Sequence, residues 1–315
     1  MNEAAGEAAG GADRCPVARV GHRWRGRSRS IGDEMAEDFD MVVRGGEVAD
    51  GSGREVVATD IGIKHGRIIA VGPRLGAGRD EIDARGQLVT PGFVDVHTHY
   101  DGQLCWSDSL TPSSNHGVTT VETGNCGVGF APCREADRDS LIRLMEGVED
   151  IPEVVMAEGL PWDWRSFPEF LDAVERRPHD IDFAVMLPHS PLRVFVMGER
   201  AVRLEPATEA DRAAKRALAK EAMMAGAAGF ATSRSILHQA SDGSSIPSLS
   251  AEETELREIA SGLADAGRGQ LQAITMTEQR CVEDTSCSTG FHAPLAGRYP
   301  TPFSRSTAIP TFGAR

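Results

Sequence analysis

Two histidines separated by one residue, and a cysteine set between glycines, are the side chains of this sequence that point most directly to chemistry. His97 and His99 close the run Pro91-Gly92-Phe93-Val94-Asp95-Val96-His97-Thr98-His99. In an extended chain, residues i and i+2 face the same side, so the two imidazoles project together. Neutral imidazoles so placed can ligate one divalent metal; two hydrogen-bonded histidines at a strand end would use the same pattern. Cys126 ends a β-branched run, Gly117-Val118-Thr119-Thr120-Val121-Glu122-Thr123-Gly124-Asn125-Cys126-Gly127. Glycines near the cysteine let the backbone approach its surroundings closely. A thiolate at that point would be a good zinc ligand, and a small buried apolar cysteine is the alternative.

These residues must be carried by something rigid. From Thr90 onward the pattern alternates between short apolar runs and amphipathic stretches. Phe93–His97, Gly117–Cys126, Ile181–His189, Ala228–Ser233 and Gln270–Ile274 read as buried parallel strands. Helices are expected over Glu135–Gly147, with Leu141, Leu144 and Met145 inward, and over Phe167–Arg177, with Phe170, Leu171 and Val174 inward. A third, Thr208–Ala225, opens with Thr208 and Asp211 and would bury Ala214, Leu218 and Ala222. Ser250 and Glu253 have the spacing of a capping box, ahead of Leu256, Ile259 and Leu263. Met145, Met223 and Met224 read as core. Repeated β-then-α units imply a parallel sheet with helices outside, in a barrel or a doubly wound sheet. His97, His99 and Cys126 then lie at C-terminal strand ends, where barrel active sites are built.

Upstream, residues 39–90 read as a small β unit: a strand at Phe39–Arg44 with a turn at Gly45-Gly46, a hairpin turning at His65-Gly66, and a further strand region over Asp80–Val89. Residues 1–38 are Gly- and Ala-rich with a basic run over residues 22–29, and read as a solvated tail; Met35 is a candidate true start. Residues 275–315 are rich in Ser, Thr, Pro and Gly and show no period.

The chain has 315 residues, with 40% hydrophobic and 25% charged residues, as expected of a globular protein of about two domains. A net charge of −14 argues against nucleic acid or an anionic membrane as a partner. No apolar run is long enough for a membrane span, and the start lacks the apolar region of a secretory signal. Six scattered cysteines without a CxxC pair fit the reduced thiols of a cytoplasmic protein.

Over residues 39–274 the sequence resembles the N-acyl-D-amino-acid deacylase (D-aminoacylase) branch of the amidohydrolase superfamily. The matching stretches are Pro91–Asp101, Gly117–Pro132, Met145–Pro152 (MEGVEDIP), Leu187–Arg200 (LPHSPLRVFVMGER) and Gly229–Pro247. The resemblance implies an α/β fold: part of a metal-dependent (β/α) TIM-type barrel at 91–274, beside a β-sandwich piece at 39–90. It implies that His97, His99 and Cys126 are metal ligands for one or two Zn2+ ions. The implied reaction is hydrolysis of a non-peptide C–N bond, most simply of a small-molecule N-acyl-D-amino acid to a carboxylate and a D-amino acid. Arg234, whose fork suits a carboxylate, His189 at the third strand end, and Asp101 and Asn125 beside the ligands are candidate substrate-site or ligand-orienting residues.

The departures are also informative. The family's later-strand histidines and late aspartate have no counterpart here; the fifth strand reads Leu271-Gln272-Ala273-Ile274. The catalytic base is therefore unassigned. Glu122 is a substitute whose facing a strand pattern leaves open, and His292 is not a ligand. Five barrel strands are present where closure takes about eight. The expectation is a chain of this family interrupted after about residue 274, with an out-of-frame tail. Its alternatives are a catalytically incompetent remnant, or an amidohydrolase for another amide, a cyclic amide or an ester.

Overall fold

In the computed structural model, which describes residues 39–274, the first strand is Phe39–Val48 (β1). The expected turn at Gly45-Gly46 is absent. The strand runs through both glycines, and its register with the next strand shifts between Val43 and Gly46. Gly45 has φ +63°, and its N–H donates to Asp60 Oδ1 at 2.8 Å, so the extra residue is absorbed as a bulge. Val57–Lys64 (β2) pairs antiparallel with β1 and turns at His65-Gly66 into Arg67–Gly72 (β3). Both turn residues have positive φ, 52° and 70°, as a two-residue hairpin of the type I′ kind requires. Gly78–Asp83 (β4) and Leu88–Val89 (β5) are two strands rather than one region. Both pair parallel with β1, β4 at Phe39–Arg44 and β5 at Glu47–Val48, so this unit is more than a set of hairpins. Together they form one five-stranded mixed sheet, order β3-β2-β1-β4 with β5 also on β1.

A second unit begins at Val94. It is built on five strands: Phe93–Asp95 (β6), then after the short helix Gln103–Trp106 (α1), Val118–Thr123 (β7). Helices Arg138–Glu149 (α2), Glu153–Gly159 (α3) and Phe167–Glu175 (α4) lead to Asp182–Pro188 (β8). Helices His189–Met197 (α5), Glu199–Val202 (α6) and Glu209–Ala225 (α7) precede Gly229–Ser233 (β9). Glu253–Ala266 (α8) precedes Gln270–Ile274 (β10). The sheet order is β10-β9-β8-β7-β6, the order of the chain, and β7 to β10 pair in parallel. That is the αβ alternation expected from the sequence.

The core follows the helical periods. Leu141, Leu144 and Met145 of α2, Phe170 and Val174 of α4, and Leu256, Ile259 and Leu263 of α8 are buried. Ser166–Glu169 and Thr208–Asp211 form reciprocal capping boxes that start α4 and α7. Three local expectations are corrected. Ser250 does not cap α8: the helix begins after Glu252, and the Ser250 hydroxyl donates to Pro247 O while accepting from Arg193. The buried face of α7 is Lys215, Ala219, Ala222 and Met223, leaving Ala214 exposed and Leu218 half-buried. The face is rotated because Lys215 turns inward to the carboxylate of Glu255, as described below. Met224 is 65% exposed, so it is not core. The expectations for residues 1–38 and 275–315, including Met35 and His292, lie outside the described residues.

Candidate metal centre

β6 is only three residues long, so His97 and His99 sit just beyond its C-terminal end rather than within it. They are held there by the neighbouring strand. Thr98, between them, donates its N–H to Glu122 O at 3.0 Å and its hydroxyl to the same carbonyl at 2.7 Å. The two rings meet edge-on, with centroids 5.4 Å apart. Cys126 lies in a single turn, Asn125–Gly127, that follows β7. Its own φ is +55°, flanked by +80° at Gly124 and +69° at Gly127. A Cβ on Gly124 would stand 2.2 Å from Met186 O, and one on Gly127 3.0 Å from Thr232 Cα. The glycines therefore let the cysteine turn pack against the backbones of β8 and β9.

The turn delivers the thiol to the histidines. Cys126 Sγ is 3.3 Å from His97 Nε2 and 3.6 Å from His99 Nε2. All three donor atoms lie within 4.8 Å of one another. Two soft-to-borderline nitrogens and one sulfur are the donor set that zinc accepts, and three protein ligands with a remaining position is the composition of a catalytic zinc site.

Asp101 and Asn125 brace the two ligand-bearing segments against each other. Asp101 Oδ1 accepts from Gly124 N at 2.9 Å, and Asn125 Nδ2 donates to Thr98 O at 3.0 Å and Glu122 O at 2.8 Å. Both residues are buried, at 2% and 0% exposure, which turns them away from a substrate role. They position the loops and touch neither the imidazoles nor the thiol through these bonds. His189 is not at a site mouth either. It is completely buried, with Nδ1 2.8 Å from Thr232 Oγ1 and Nε2 3.0 Å from Glu255 Oε1. Arg234 follows β9, is half-buried, and its N–H donates to Ile274 O. The carboxylate of Glu122 accepts from Gln270 Nε2 of β10 at 3.3 Å, and its carbonyl anchors Thr98 and Asn125.

Two residues enter the centre that sequence reasoning left out. Glu149, the last residue of α2, brings Oε1 to 3.1 Å from His99 Nε2. It stands four residues after Met145 and seven after Ile142, both buried, so its place on the inward face was available from the helical period. His238 lies in the loop after β9, with Nδ1 2.9 Å from Ser233 Oγ, close enough for its charge to act on His99. No spacing announced it.

The electrostatics fit groups taken out of water. Burial, helped by the neighbouring His97 and His238, pushes His99 down to about 3, and burial also lowers His97. Both imidazoles are thus neutral near pH 7, as metal ligands must be. Burial, with Glu149 and Asp101 nearby, raises the Cys126 thiol, so an ion would have to displace its proton. Burial raises Glu149 to about 8, with Asp101 and Asp150 adding to it.

A family model described as the amidohydrolase family matches residues 80–288. D-aminoacylase of Alcaligenes xylosoxydans xylosoxydans is 36% identical over 198 residues, covering 62% of this chain and 38% of that protein. N-acyl-D-aspartate deacylase of the same organism is 34% identical over 274 residues, covering 86% of this chain and 49% of that protein. Among solved structures, a D-aminoacylase described as defining a novel subset of amidohydrolases aligns with a TM-score of 0.64 at 30% identity, over 82% of this chain and 50% of that one. N-acyl-D-glutamate deacylase from Bordetella bronchiseptica, complexed with zinc and a phosphonate mimic of the tetrahedral intermediate, aligns with a TM-score of 0.67 at 25% identity over the same shares. The chain spans half or less of the length of these relatives.

Proposed function

The chain belongs to the amidohydrolase family, and on that premise we propose that His97, His99 and Cys126 hold zinc in a centre that hydrolyses N-acyl-D-amino acids to a carboxylate and a D-amino acid. The observation that carries this reading is the convergence of three donor atoms of zinc-binding type within 4.8 Å, at the ends of adjacent strands. The deacylase activities of the relatives supply the substrate class. One solved D-aminoacylase has a binuclear metal centre with one-metal activation, and the glutamate deacylase structure contains zinc, which supports zinc here. We read the five consecutive strands as part of a (β/α) barrel and the sheet within residues 39–90 as part of a β-sandwich.

A zinc ion held by His97, His99 and Cys126 would supply Lewis acidity for polarising the acyl carbonyl and activating water. The rest falls to the chain. His97 and His99 present neutral nitrogens without needing to lose a proton. Asp101 and Asn125 hold the histidine segment and the cysteine turn in register, so that the donors stay converged. Arg234 is the candidate for a substrate carboxylate, through the paired N–H donors of its guanidinium.

The test uses the whole purified chain loaded with zinc and a panel of N-acetyl-D-amino acids beside their L-forms. Release of free D-amino acid above that of a Cys126→Ala control is the expected result. Zinc bound tightly with no release from any D-substrate would overturn the activity and leave the metal assignment standing.

A further inference from the structure

We propose that Glu149 is an oxygen ligand of the ion held by His97, His99 and Cys126, so that α2 contributes a fourth protein donor to the centre. The inference rests on the metal reading above and extends it to a residue outside the motif that suggested that reading.

Its first support is the set of distances. A tetrahedral ion with Zn–N of about 2.0–2.1 Å and Zn–S of about 2.3 Å places neighbouring N and S donors about 3.5 Å apart, and N and O donors about 3.3 Å apart. The separations are 3.3 and 3.6 Å for Cys126 Sγ to the two Nε2 atoms, and 3.1 Å for Glu149 Oε1 to His99 Nε2. Glu149 Oε1 thus stands from His99 as a co-ligand would, on the nitrogen that the sulfur also approaches; it lies outside the group of three donor atoms within 4.8 Å of one another, so it would close the remaining gap by a side-chain movement as the ion binds. Without an ion, the contact is a hydrogen bond between His99 Nε2 and Glu149 Oε1.

The second support is where the carboxylate sits. Glu149 ends α2, and the next residue, Asp150, takes the left-handed cap conformation with φ 55°. A helix C-terminus carries partial negative charge, so an anion there is disfavoured, and the Glu149 side chain is only 17% exposed. Asp150 adds a second acidic group next to it. A cation at the His97–His99–Cys126 cluster would offset all of this at one point. The neighbouring Glu146, one turn earlier, instead accepts the Glu153 N–H at 3.1 Å and caps α3, so the inward carboxylate has a separate assignment from the structural one. Zinc can expand to five-coordination, so a fourth protein donor does not bar water from the site.

The experiment compares the full chain with Glu149→Gln, Glu149→Asp and the control Glu146→Gln. Zn2+ affinity is measured by competition with a chromophoric chelator, and the Co2+ forms are compared by visible absorption. Circular dichroism checks that each variant is folded. The expected result is that Glu149→Gln weakens Zn2+ binding by about tenfold or more. It should also alter the Co2+ d–d bands while keeping the sulfur-to-cobalt band of Cys126. Glu149→Asp should fall between, and Glu146→Gln should match the parent. A side chain that only hydrogen-bonded His99 would be replaced well by glutamine, which can accept or donate. Unchanged affinity and unchanged d–d bands in Glu149→Gln would therefore overturn the Glu149 assignment alone. Failure of the parent chain to bind either metal would overturn both it and the metal reading beneath it.

Discussion

Cys126 differs from the other described cysteines in what its sulfur meets. The Cys105 thiol donates to Asp101 O at 3.5 Å and the Cys133 thiol to Arg134 O at 3.2 Å, so each is a small buried group with a backbone acceptor. Cys126 faces two imidazole nitrogens and sits on a backbone with φ +55°, a conformation that costs free energy for a residue with a Cβ and clusters at functional sites. Replacing Cys126 with serine is expected to lower zinc affinity by about a hundredfold or more, since even partners outside the ligand set are worth about 10–100-fold. Cys105→Ser and Cys133→Ser should stay close to the parent. Chelator competition on the three variants checks the order, and a Cys105 or Cys133 effect equal to that of Cys126 would remove the special role of this thiol.

The elements that carry the centre are short: a three-residue strand, a six-residue strand and a single turn. Precision must then come from backbone fit, and Gly124 is where that fit is tightest. Gly124→Ala adds a Cβ at 2.2 Å from a carbonyl oxygen of β8, and it does so at φ +80°. Gly53→Ala has nearly the same backbone angle, φ +81°, with nothing within 4 Å. Both variants incur the left-handed backbone penalty, so their difference isolates the clash. Gly124→Ala should be the less stable by about 1–3 kcal/mol, the usual cost of overpacking, and should lose zinc affinity while Gly53→Ala keeps it. Thermal melts and zinc titration of the two variants decide this. Equal stabilities would mean that the turn can shift away from β8 without cost.

In the larger unit as a whole, one buried carboxylate collects three basic side chains. Glu255 of α8 is 1% exposed and receives Lys215 Nζ of α7 at 2.5 Å, Arg193 of α5 through a short bond, and His189 at 3.0 Å. One anion thus ties three helices together. Burial would raise the Glu255 pKa, but these three partners outweigh it and hold the carboxylate down to about 2. Burial pushes His189 down to about 4, against the pull of Glu255. Glu255→Gln leaves Arg193 and Lys215 buried without their anion and should destabilise the fold by about 3–5 kcal/mol. The pH dependence has a definite sign. Between about 4 and the ordinary histidine value of 6.5, the unfolded chain binds a proton at His189 that the folded chain refuses, so stability falls as pH falls through this window. Glu255 continues the loss below the ordinary glutamate value of 4.5, where unfolded glutamate protonates and the native one does not. Urea unfolding of the parent and of His189→Gln from pH 7 to pH 4 should show a shallower slope for the variant above pH 4. Parallel slopes would show that His189 titrates alike in both states.

Local pattern made much of this legible. Short apolar runs marked the five strands of the second sheet, and helical spacing marked the inward faces of α2, α4 and α8, because side-chain direction along a helix is set by backbone geometry within a few residues. The same locality made His97, His99 and Cys126 readable as donors, since i and i+2 in an extended chain and a glycine-flanked turn are short-range facts. It also explains the misses. Whether Gly45-Gly46 turns or bulges depends on the strand beside it, and whether Ser250 caps a helix depends on Arg193 reaching the serine from another helix. Lys215 faces inward against its own polarity because Glu255, forty residues on, is there to receive it. Glu149 and His238 join the centre only once α2 and the loop after β9 are laid over the strand ends. Contacts between residues far apart in sequence are decided by strand order and packing. Propensity carries no trace of them, and a buried charge becomes affordable only when its distant partner is in place.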